Sequence, residues 1–346
     1  MKNYAILTTA AGGDYALLDS GDGEKLERYG EVTVARPDPQ ALWKKRLPES
    51  EWKKADAWFA PTTPALGGVP SPFGLELRAE RSGRRGSEWQ TRKKLPERWP
   101  VEIGGLKFWI KLSAFKHTGV FPEQAGNWEW IGERIKNEEL RMKNGRSGGQ
   151  HPPATPLRGG IRVLNLFGYT GGASLAAAKA GAPAFAPGAT AGKEVKVEVV
   201  HVDGSKVAIG WARDNAKLSG LSDKPIRWIL DDARSFVKRE IKRGNKYDGI
   251  IMDPPAFGHG PGGELWKVED HFLELLDLCK QVLSDRPLFF IINGYASGYS
   301  AVAYKNSLGD LMEEHGGEIE IGELTIAEKD SQRLLPAGIF ARWARG

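Results

Sequence analysis

The sequence predicts an α/β protein: a doubly wound, mostly parallel sheet of seven strands, with a small β-rich extension on its N-terminal side. Three observations predict it. From residue 161 onward, short apolar runs alternate with stretches whose apolar residues recur at three- and four-residue steps. Before residue 60, short apolar runs are instead separated by turn clusters. The chain has 346 residues, 40% hydrophobic and 27% charged, enough to bury a sizeable core and too apolar for a disordered chain.

The extension covers residues 1–60. Tyr4-Ala5-Ile6-Leu7 is a short strand, too brief and too soon followed by Asp14 to be a signal peptide. Tyr15-Ala16-Leu17-Leu18 and Val32-Thr33-Val34 are further strands, divided by the turn Asp19-Ser20-Gly21-Asp22-Gly23. Pro37-Asp38-Pro39 is expected to end the sheet, and Gln40-Ala41-Leu42-Trp43 to open a short helix. Residues 61–100 read as a loop-rich basic linker, with eight Arg or Lys against three Glu between Arg78 and Arg98. That charge suits either solvent or phosphate.

Residues 101–160 read as a prelude to the main domain. Val101-Glu102-Ile103 turns through Gly104-Gly105 into Leu106-Lys107-Phe108-Trp109-Ile110, a hairpin. A helix is expected from near Glu123 to about Met142, then a second joint from Asn144 through Pro156.

In residues 161–346 the expected strands are Val163–Leu166, Val197–Val202, Ile226–Leu230, Gly249–Met252, Leu288–Ile292, Ile319–Ile321 and Ile339–Trp343. Helical stripes lie between them, such as Ala208, Trp211, Ala212, Asn215 and Leu218, or Phe272, Leu275, Leu276, Cys279 and Leu283.

Composition narrows the function. A single Cys excludes a disulfide framework and a Cys-rich zinc module. No run approaches the ~18 apolar residues of a membrane span, so the cytoplasm is the expected compartment and no membrane partner is expected. No His, Cys and carboxylate cluster has metal-ligand spacing, so no metal is expected. The net charge of +5 permits an anionic partner without requiring one.

In an open parallel sheet, ligands bind at the carboxyl ends of the strands. The first strand ends in Asn165-Leu166-Phe167-Gly168-Tyr169-Thr170-Gly171-Gly172, where glycines permit a sharp turn and the next helix offers free amides to an anion. Gly168, Gly171 and Gly172 fit neither the dinucleotide fingerprint nor a Walker loop, so a ligand-free tight turn is the alternative. The second strand ends at Asp203, an acid placed to accept from ribose hydroxyls, with Ser205 as cap of the following helix. Asp203 lies 35 residues past Gly168 rather than the usual ~20, an excess supplied by the insertion Ala182 to Glu194. The third strand ends at Asp231-Asp232-Ala233, where a carboxylate suits either an adenine amine or a helix cap.

The fourth strand ends in Asp253-Pro254-Pro255-Ala256-Phe257-Gly258, the most informative stretch. Two prolines after an acid fix the backbone and remove amide donors. The Asp253 carboxylate and the Pro254 carbonyl are then acceptors able to hold an amino group with its lone pair aimed at an electrophile, and Phe257 can stack on a planar base. The bland alternative is a rigid turn with a core Phe. His259 lies on the glycine-rich loop Gly258 to Gly263, an exposed residue or a proton relay, and that loop is expected to act as a lid with Trp266 and Lys267 at its far edge.

These motifs together resemble those of class I S-adenosylmethionine-dependent methyltransferases. Thr118-Gly119-Val120-Phe121-Pro122-Glu123-Gln124, Leu166 to Gly172 and Asp253 to Phe257 are more closely similar to the large-subunit ribosomal RNA methyltransferases and their relatives, over roughly residues 101–346. The resemblance implies the class I methyltransferase fold, S-adenosylmethionine as cofactor and ribosomal RNA as partner. It implies that Gly168, Tyr169, Thr170, Gly171 and Gly172 lie against the methionine part, and that Asp203 with Ser205 serves the ribose. Asp232 and Ala233 would flank the adenine, Phe121 and Gln124 would close the pocket, and Asp253, Pro254 and Phe257 would face the methyl acceptor. The N-terminal unit is shorter than the RNA-binding PUA domain of several members and matches none of its residues.

One departure bears on chemistry. Relatives that methylate cytosine C5 carry a Cys nucleophile after the fifth strand, where this chain reads Asn293-Gly294-Tyr295-Ala296-Ser297-Gly298. Cys279 falls on an apolar helical stripe, where a packed thiol is expected. The sequence therefore favours a base nitrogen, attacked without a covalent enzyme intermediate. Two alternatives stay open: a small-molecule or protein acceptor, and a non-catalytic RNA-binding protein on the same fold.

Overall fold

The computed structural model describes residues 3–61, 87–113, 116–144, 160–181, 196–295 and 298–346. The expected joint at 145–156, the insertion 182–194, the basic run 78–86 and residues 296–297 lie outside them. In chain order the first elements are β1 (Tyr4–Thr9), β2 (Tyr15–Gly21), β3 (Glu24–Tyr29), β4 (Val32–Pro37), α1 (Glu49–Trp52), β5 (Ala57–Pro61), β6 (Ser87–Thr91), β7 (Trp99–Ile103), β8 (Leu106–Ile110) and α2 (Ala125–Asn144). They continue as β9 (Ile161–Leu166), α3 (Gly172–Ala180), β10 (Val197–Asp203), α4 (Lys206–Leu218), β11 (Ile226–Leu230), α5 (Ala233–Lys242), β12 (Gly249–Met252) and β13 (Phe257–His259). The last are β14 (Leu265–Lys267), α6 (Val268–Val282), β15 (Phe289–Gly294), α7 (Ala301–Met312), β16 (Glu318–Ala327) and β17 (Leu334–Ala344).

Chain contacts divide the protein into two units, one of residues 1–7, 124–323 and 338–346, the other of residues 8–123 and 324–337. The segments 1–60, 61–100, 101–160 and 161–346 follow changes in sequence character. The units follow pairing between distant stretches, which composition does not carry.

The first unit is built on the large sheet, in the order β1-β16-β17-β15-β12-β9-β10-β11 among the described residues. All seven strands expected between residues 161 and 346 are present. An eighth, β1, lies at the edge, so Tyr4–Leu7 joins this sheet and not the N-terminal one where the sequence placed it. The neighbours from β15 through β12, β9 and β10 to β11 run parallel, and β17 runs antiparallel to β15.

Alternation along these strands sorts side chains onto two faces. Leu164, Leu166, Val200, Val202, Ile250, Met252, Phe290 and Ile292 meet Phe236 and Val237 of α5, Leu275, Leu276 and Cys279 of α6, and Leu308 of α7. Ile161, Val163, Val197, Val199, Ile251, Phe289 and Ile291 meet Trp130, Ile131 and Ile135 of α2 and Ala177 and Ala178 of α3. Both faces are covered, which is why these strands read as nearly continuous apolar runs.

The second unit holds the five-stranded sheet β2-β3-β4-β5-β6 and the β7–β8 hairpin. Two expectations are corrected here. The sheet does not end at Pro37: β5 returns parallel to β4, and β6 pairs with β5 inside the expected linker. Residues 40–43 form no helix, because Trp43 and Ala41 lend their carbonyls to the Asp22–Gly23 turn; the helix starts later, at Glu49.

This unit buries an ionic cluster. The Glu27 carboxylate accepts from Arg36 Nε at 2.5 Å and Nη2 at 3.1 Å, and from the hydroxyls of Tyr15 and Tyr29 at 2.8 and 3.1 Å. Burial opposes ionisation of Glu27, but Arg36 and then Lys25 overcome it and hold the carboxyl down at about 2. Close by in sequence to the hairpin lies His117, where the sequence offers a satisfied hydrogen-bonding residue beside Thr118 as the simplest expectation, and the structure departs from it. Its Nδ1 has no hydrogen-bond partner among the described residues, and burial pushes the imidazole down to about 3.

Candidate functional site

At the carboxyl end of the large sheet, the face toward α2 and α3 changes from apolar to polar. Asn165 follows Val163 on β9, His201 follows Val199 on β10, Asn293 follows Ile291 on β15, and Asp253 stands just past Ile251 and Met252 of β12. Asn165 and His201 are register partners across the β9–β10 pair.

Below the glycine turn these polar groups bond to one another. Asn165 Nδ2 donates to Ser174 Oγ at 2.9 Å, and Ser174 Oγ lies 3.0 Å from His201 Nδ1. His201 is fully buried, and burial pushes its imidazole down to about 3, so it is neutral. The sequence reading placed Asn165 at the head of the glycine-rich stretch but missed Ser174 and His201. The signal for His201 was a polar residue breaking an otherwise apolar strand run.

The turn itself is strained. Phe167 and Tyr169 hold φ of +58° and +48°, and Gly171 holds +96°. Such angles in non-glycine residues persist where the surroundings enforce them, often at ligand sites. Here Gly168 N donates to Val202 O at 3.0 Å, Gly171 N to Gly168 O at 3.0 Å, and Asn215 Nδ2 to Thr170 O at 3.0 Å. Two glycines are needed for space. A Cβ on Gly168 would lie 2.4 Å from His201 Cε1, and one on Gly172 would lie 2.5 Å from Trp128 Cζ2. Gly172 opens α3, whose first amides and positive end suit an anionic group.

Asp203, the last residue of β10, braces the turn. Its Oδ2 accepts from Tyr169 N at 2.8 Å and its Oδ1 from Ser205 N at 2.8 Å. Burial raises the carboxyl from its ordinary value, against the pull of the two amides. Each carboxylate oxygen keeps a further lone pair for a hydroxyl donor. Ser205 is exposed and caps α4, its Oγ accepting from Ala208 N at 3.2 Å. Asp232 caps α5, accepting from Ser235 N at 2.9 Å, and the methyl of Ala233 packs into the core.

Asp253 follows β12. Burial alone lifts its carboxyl to about 6. Gln124, in the 3-10 turn ahead of α2, points Nε2 at Asp253 Oδ2 across 3.5 Å. The sequence placed Gln124 over the cofactor; the structure brings it to the acidic end of the site. Phe121 belongs to the second unit, where its ring packs edge-on against His117 at 5.4 Å.

The stretch after Asp253 is more ordered than the expected lid loop. β13 and β14 form an antiparallel hairpin, with His259 exposed and its ring 5.1 Å from Phe257. Trp266 is not at a mobile edge. It is buried against Phe167, ring centroids 4.9 Å apart, and donates Nε1–H to Pro255 O at 2.7 Å. Val268 N donates to Ala256 O at 3.0 Å, and Arg234 Nη2 to Leu265 O at 3.0 Å. The hairpin tip reaches the neighbouring strand ends: a Cβ on Gly260 would lie 3.0 Å from Asp232 Cβ, and one on Gly204 would lie 3.1 Å from His259 O.

Cys279 is the packed thiol the sequence expected. It is fully buried on α6, and burial pushes its thiol up. Arg333 donates to the Lys44 carbonyl at 2.9 Å. Among the described residues no group of three His, Cys, Asp or Glu is placed to hold a metal ion, and no helix is long and apolar enough to cross a membrane.

No protein-family model matches the chain. A solved structure of a SAM-dependent methyltransferase from Agrobacterium tumefaciens is 37% identical, covering 99% of this chain and 94% of its own, with a TM-score of 0.78. A Streptococcus mutans structure ascribed to the same class is 17% identical over 98% of this chain and 76% of its own, with a TM-score of 0.59, a likeness of fold. Among curated proteins, ribosomal RNA large subunit methyltransferase K of Neisseria meningitidis is 23% identical over 313 residues, 89% of this chain and 71% of that protein. Ribosomal RNA large subunit methyltransferase K/L of Shewanella baltica is 29% identical over 237 residues, 68% of this chain, which spans only 25% of the relative.

Proposed function

The chain belongs to the S-adenosylmethionine-dependent methyltransferases, and on that premise we propose that it methylates a base nitrogen of large-subunit ribosomal RNA by direct in-line displacement. The observation that carries the proposal is the pairing of two features at one sheet edge. One is the strained Phe167–Gly171 turn after β9, braced by Asp203, the other the Asp253-Pro254 acceptor pair after the adjacent strand β12. RNA as the acceptor is supported by the names of the curated relatives.

The residues present fit the cofactor. Gly168 and Gly172 let the turn settle on His201 and Trp128, the start of α3 offers amides to a carboxylate, and Asp203 keeps lone pairs for ribose hydroxyls. Asp232, although it caps α5, would keep carboxylate lone pairs for the base, Ala233 would offer only its backbone because its methyl is in the core, and Ser205 lies two residues past Asp203. When bound, the cofactor supplies an electrophilic methyl on a sulfonium.

Asp253 and the Pro254 carbonyl accept hydrogen bonds from the incoming amine, orient its lone pair and stabilise the positive charge that develops on nitrogen. Pro254 and Pro255 keep backbone donors away from those acceptors. Phe257, edged by His259, offers a face on which a base can stack. With Cys279 buried in the core and Asn293 at the end of β15, the site has no thiolate for attack on a pyrimidine carbon, which supports nitrogen over carbon.

The test is incubation with methyl-labelled S-adenosylmethionine and unmodified large-subunit RNA, followed by nucleoside mass spectrometry. Label in an N-methylated base is expected, with Asp253→Ala losing turnover while still binding cofactor by calorimetry. Label confined to protein or small molecules would replace RNA as the acceptor, and a cofactor that gives no heat of binding would leave a non-catalytic fold.

A further inference from the structure

Behind Asp253 runs a buried chain of polar side chains that the methyl-transfer reading does not use. It starts at Glu320 on β16, whose Oε2 takes Arg342 Nε at 2.7 Å and Nη2 at 2.5 Å. The guanidinium, 6% exposed, lies over the rings of Trp130 and Phe340, 4.8 and 5.0 Å from their centroids. Its Nη1 donates to Asn127 Oδ1 at 3.2 Å. Asn127, 1% exposed, spends its amide on Gln124 Oε1 at 3.1 Å and Asn293 Oδ1 at 2.9 Å. Gln124 Nε2 then faces Asp253 Oδ2.

The direction of this chain is forced by its origin. A side-chain amide can be turned either way, but an arginine only donates. Arg342 therefore claims the oxygen of Asn127, which leaves the Asn127 nitrogen to donate onward to the oxygen of Gln124. The oxygen of Gln124 is then occupied, and its N–H is the group left to meet Asp253. The 3.5 Å contact is long, of the kind that shortens when a reacting group fills a catalytic site.

We propose that Arg342 and Asn127 are positioning residues that fix the polarity of the Gln124 amide, so that Gln124 presents a donor, never an acceptor, to the Asp253 carboxylate during methyl transfer. This rests on Asp253 serving the acceptor amine. The device keeps Asp253 oriented and ionised without placing a second charge beside it. Charged groups elsewhere in the network, Glu320 and the neighbouring Arg134 and Glu133, act on Arg342; desolvation is the cause that acts on Asp253.

Asn127→Asp is the discriminating change. Residue 127 keeps its size and its contact to Arg342 but loses its donor, so Gln124 must turn its nitrogen away from Asp253. The measurement is a carbon-13 NMR titration of the Asp253 carboxyl in the full chain, beside methyl transfer to unmodified large-subunit RNA. The midpoint is expected to rise by about one pH unit, because a donor to the ionised form is lost. Transfer at pH 6.5 is expected to fall about threefold, following the loss of ionised Asp253, with S-adenosylmethionine affinity within about twofold. Gln124→Met removes the same donor at a half-buried position and is expected to give the same rise even if Asn127→Asp folds poorly. Asn127→Asp also adds a carboxylate, which alone would raise the midpoint, so an unchanged midpoint in the uncharged Gln124→Met overturns the proposal whatever Asn127→Asp does. If the midpoint moves while the wild type methylates no RNA, the relay stands and the assigned substrate falls.

Discussion

The imidazole of His201 lies directly beneath Gly168, so close that a methyl group on the glycine would come within 2.5 Å of Nδ1 and 2.4 Å of Cε1. The ring is fully buried and held by Ser174, so it cannot swing away cheaply. Gly168→Ala should therefore distort the turn and weaken S-adenosylmethionine binding at least about tenfold by calorimetry. Adding His201→Ser should restore part of that affinity by making room, a non-additivity that independent sites would not give.

Asp253 should impose a pH limb on the reaction. Burial raises its carboxyl to about 6, and the ionised form is the one that accepts from an amine. Methyl transfer should therefore fall as pH drops through about 6, and Asp253→Asn should remove the limb together with most of the rate. The same shift carries a stability cost. A carboxyl raised on folding adds stability only below its unfolded value, and that contribution is lost as pH rises through about 6. Asp253→Asn should thus unfold later than wild type at pH 7.5, by roughly 1–2 kcal/mol after allowance for partial exposure. The gain should disappear near pH 4 in denaturant titrations.

Trp266 ties the β13–β14 hairpin to the proline turn through its hydrogen bond to Pro255 O. Trp266→Phe keeps a ring beside Phe167 and deletes that bond. It should cost about 1–2 kcal/mol of stability and lower kcat more than it lowers cofactor affinity, because the hydrogen bond is to the acceptor side of the site.

Much of this site was legible because it is local. Asp253-Pro254-Pro255 and the glycine turn carry their constraints in adjacent residues, so spacing placed them at strand ends, and alternating apolar runs placed the strands. The relay behind Asp253 was not legible, since Gln124 and Asn127 are far in the chain from Asn293 and Arg342, and nothing in the sequence links the three stretches. The same holds for β1 and β6, whose partners are set by long-range pairing. His201 was hidden for another reason: a lone histidine in an apolar run carries no sign of the glycine above it.

The Glu27–Arg36 pair should govern the second unit. Glu27 is held near 2 by Arg36, so its folded value lies below its unfolded one. Its contribution is present above the unfolded value and is lost as pH falls toward about 2. Arg36→Met would leave Glu27 buried with only the more distant Lys25, 4.0 Å away, as its cation, at a cost of about 3 kcal/mol in chemical denaturation. Changing Glu27→Gln and Arg36→Met together should recover much of that loss.

The placement of β1 carries a kinetic burden. Asn3 and Tyr4 bond Ile319 and Glu323, partners separated by 316 and 319 positions along the chain. Until the ribosome has made β16, the outer strand has no template, and β16 in turn offers a bare flank until β1 finds it. Docking of that strand should be among the late events of folding. A variant lacking it would keep its catalytic groups yet expose an open flank of backbone amides and carbonyls, inviting end-to-end association of one molecule with the next.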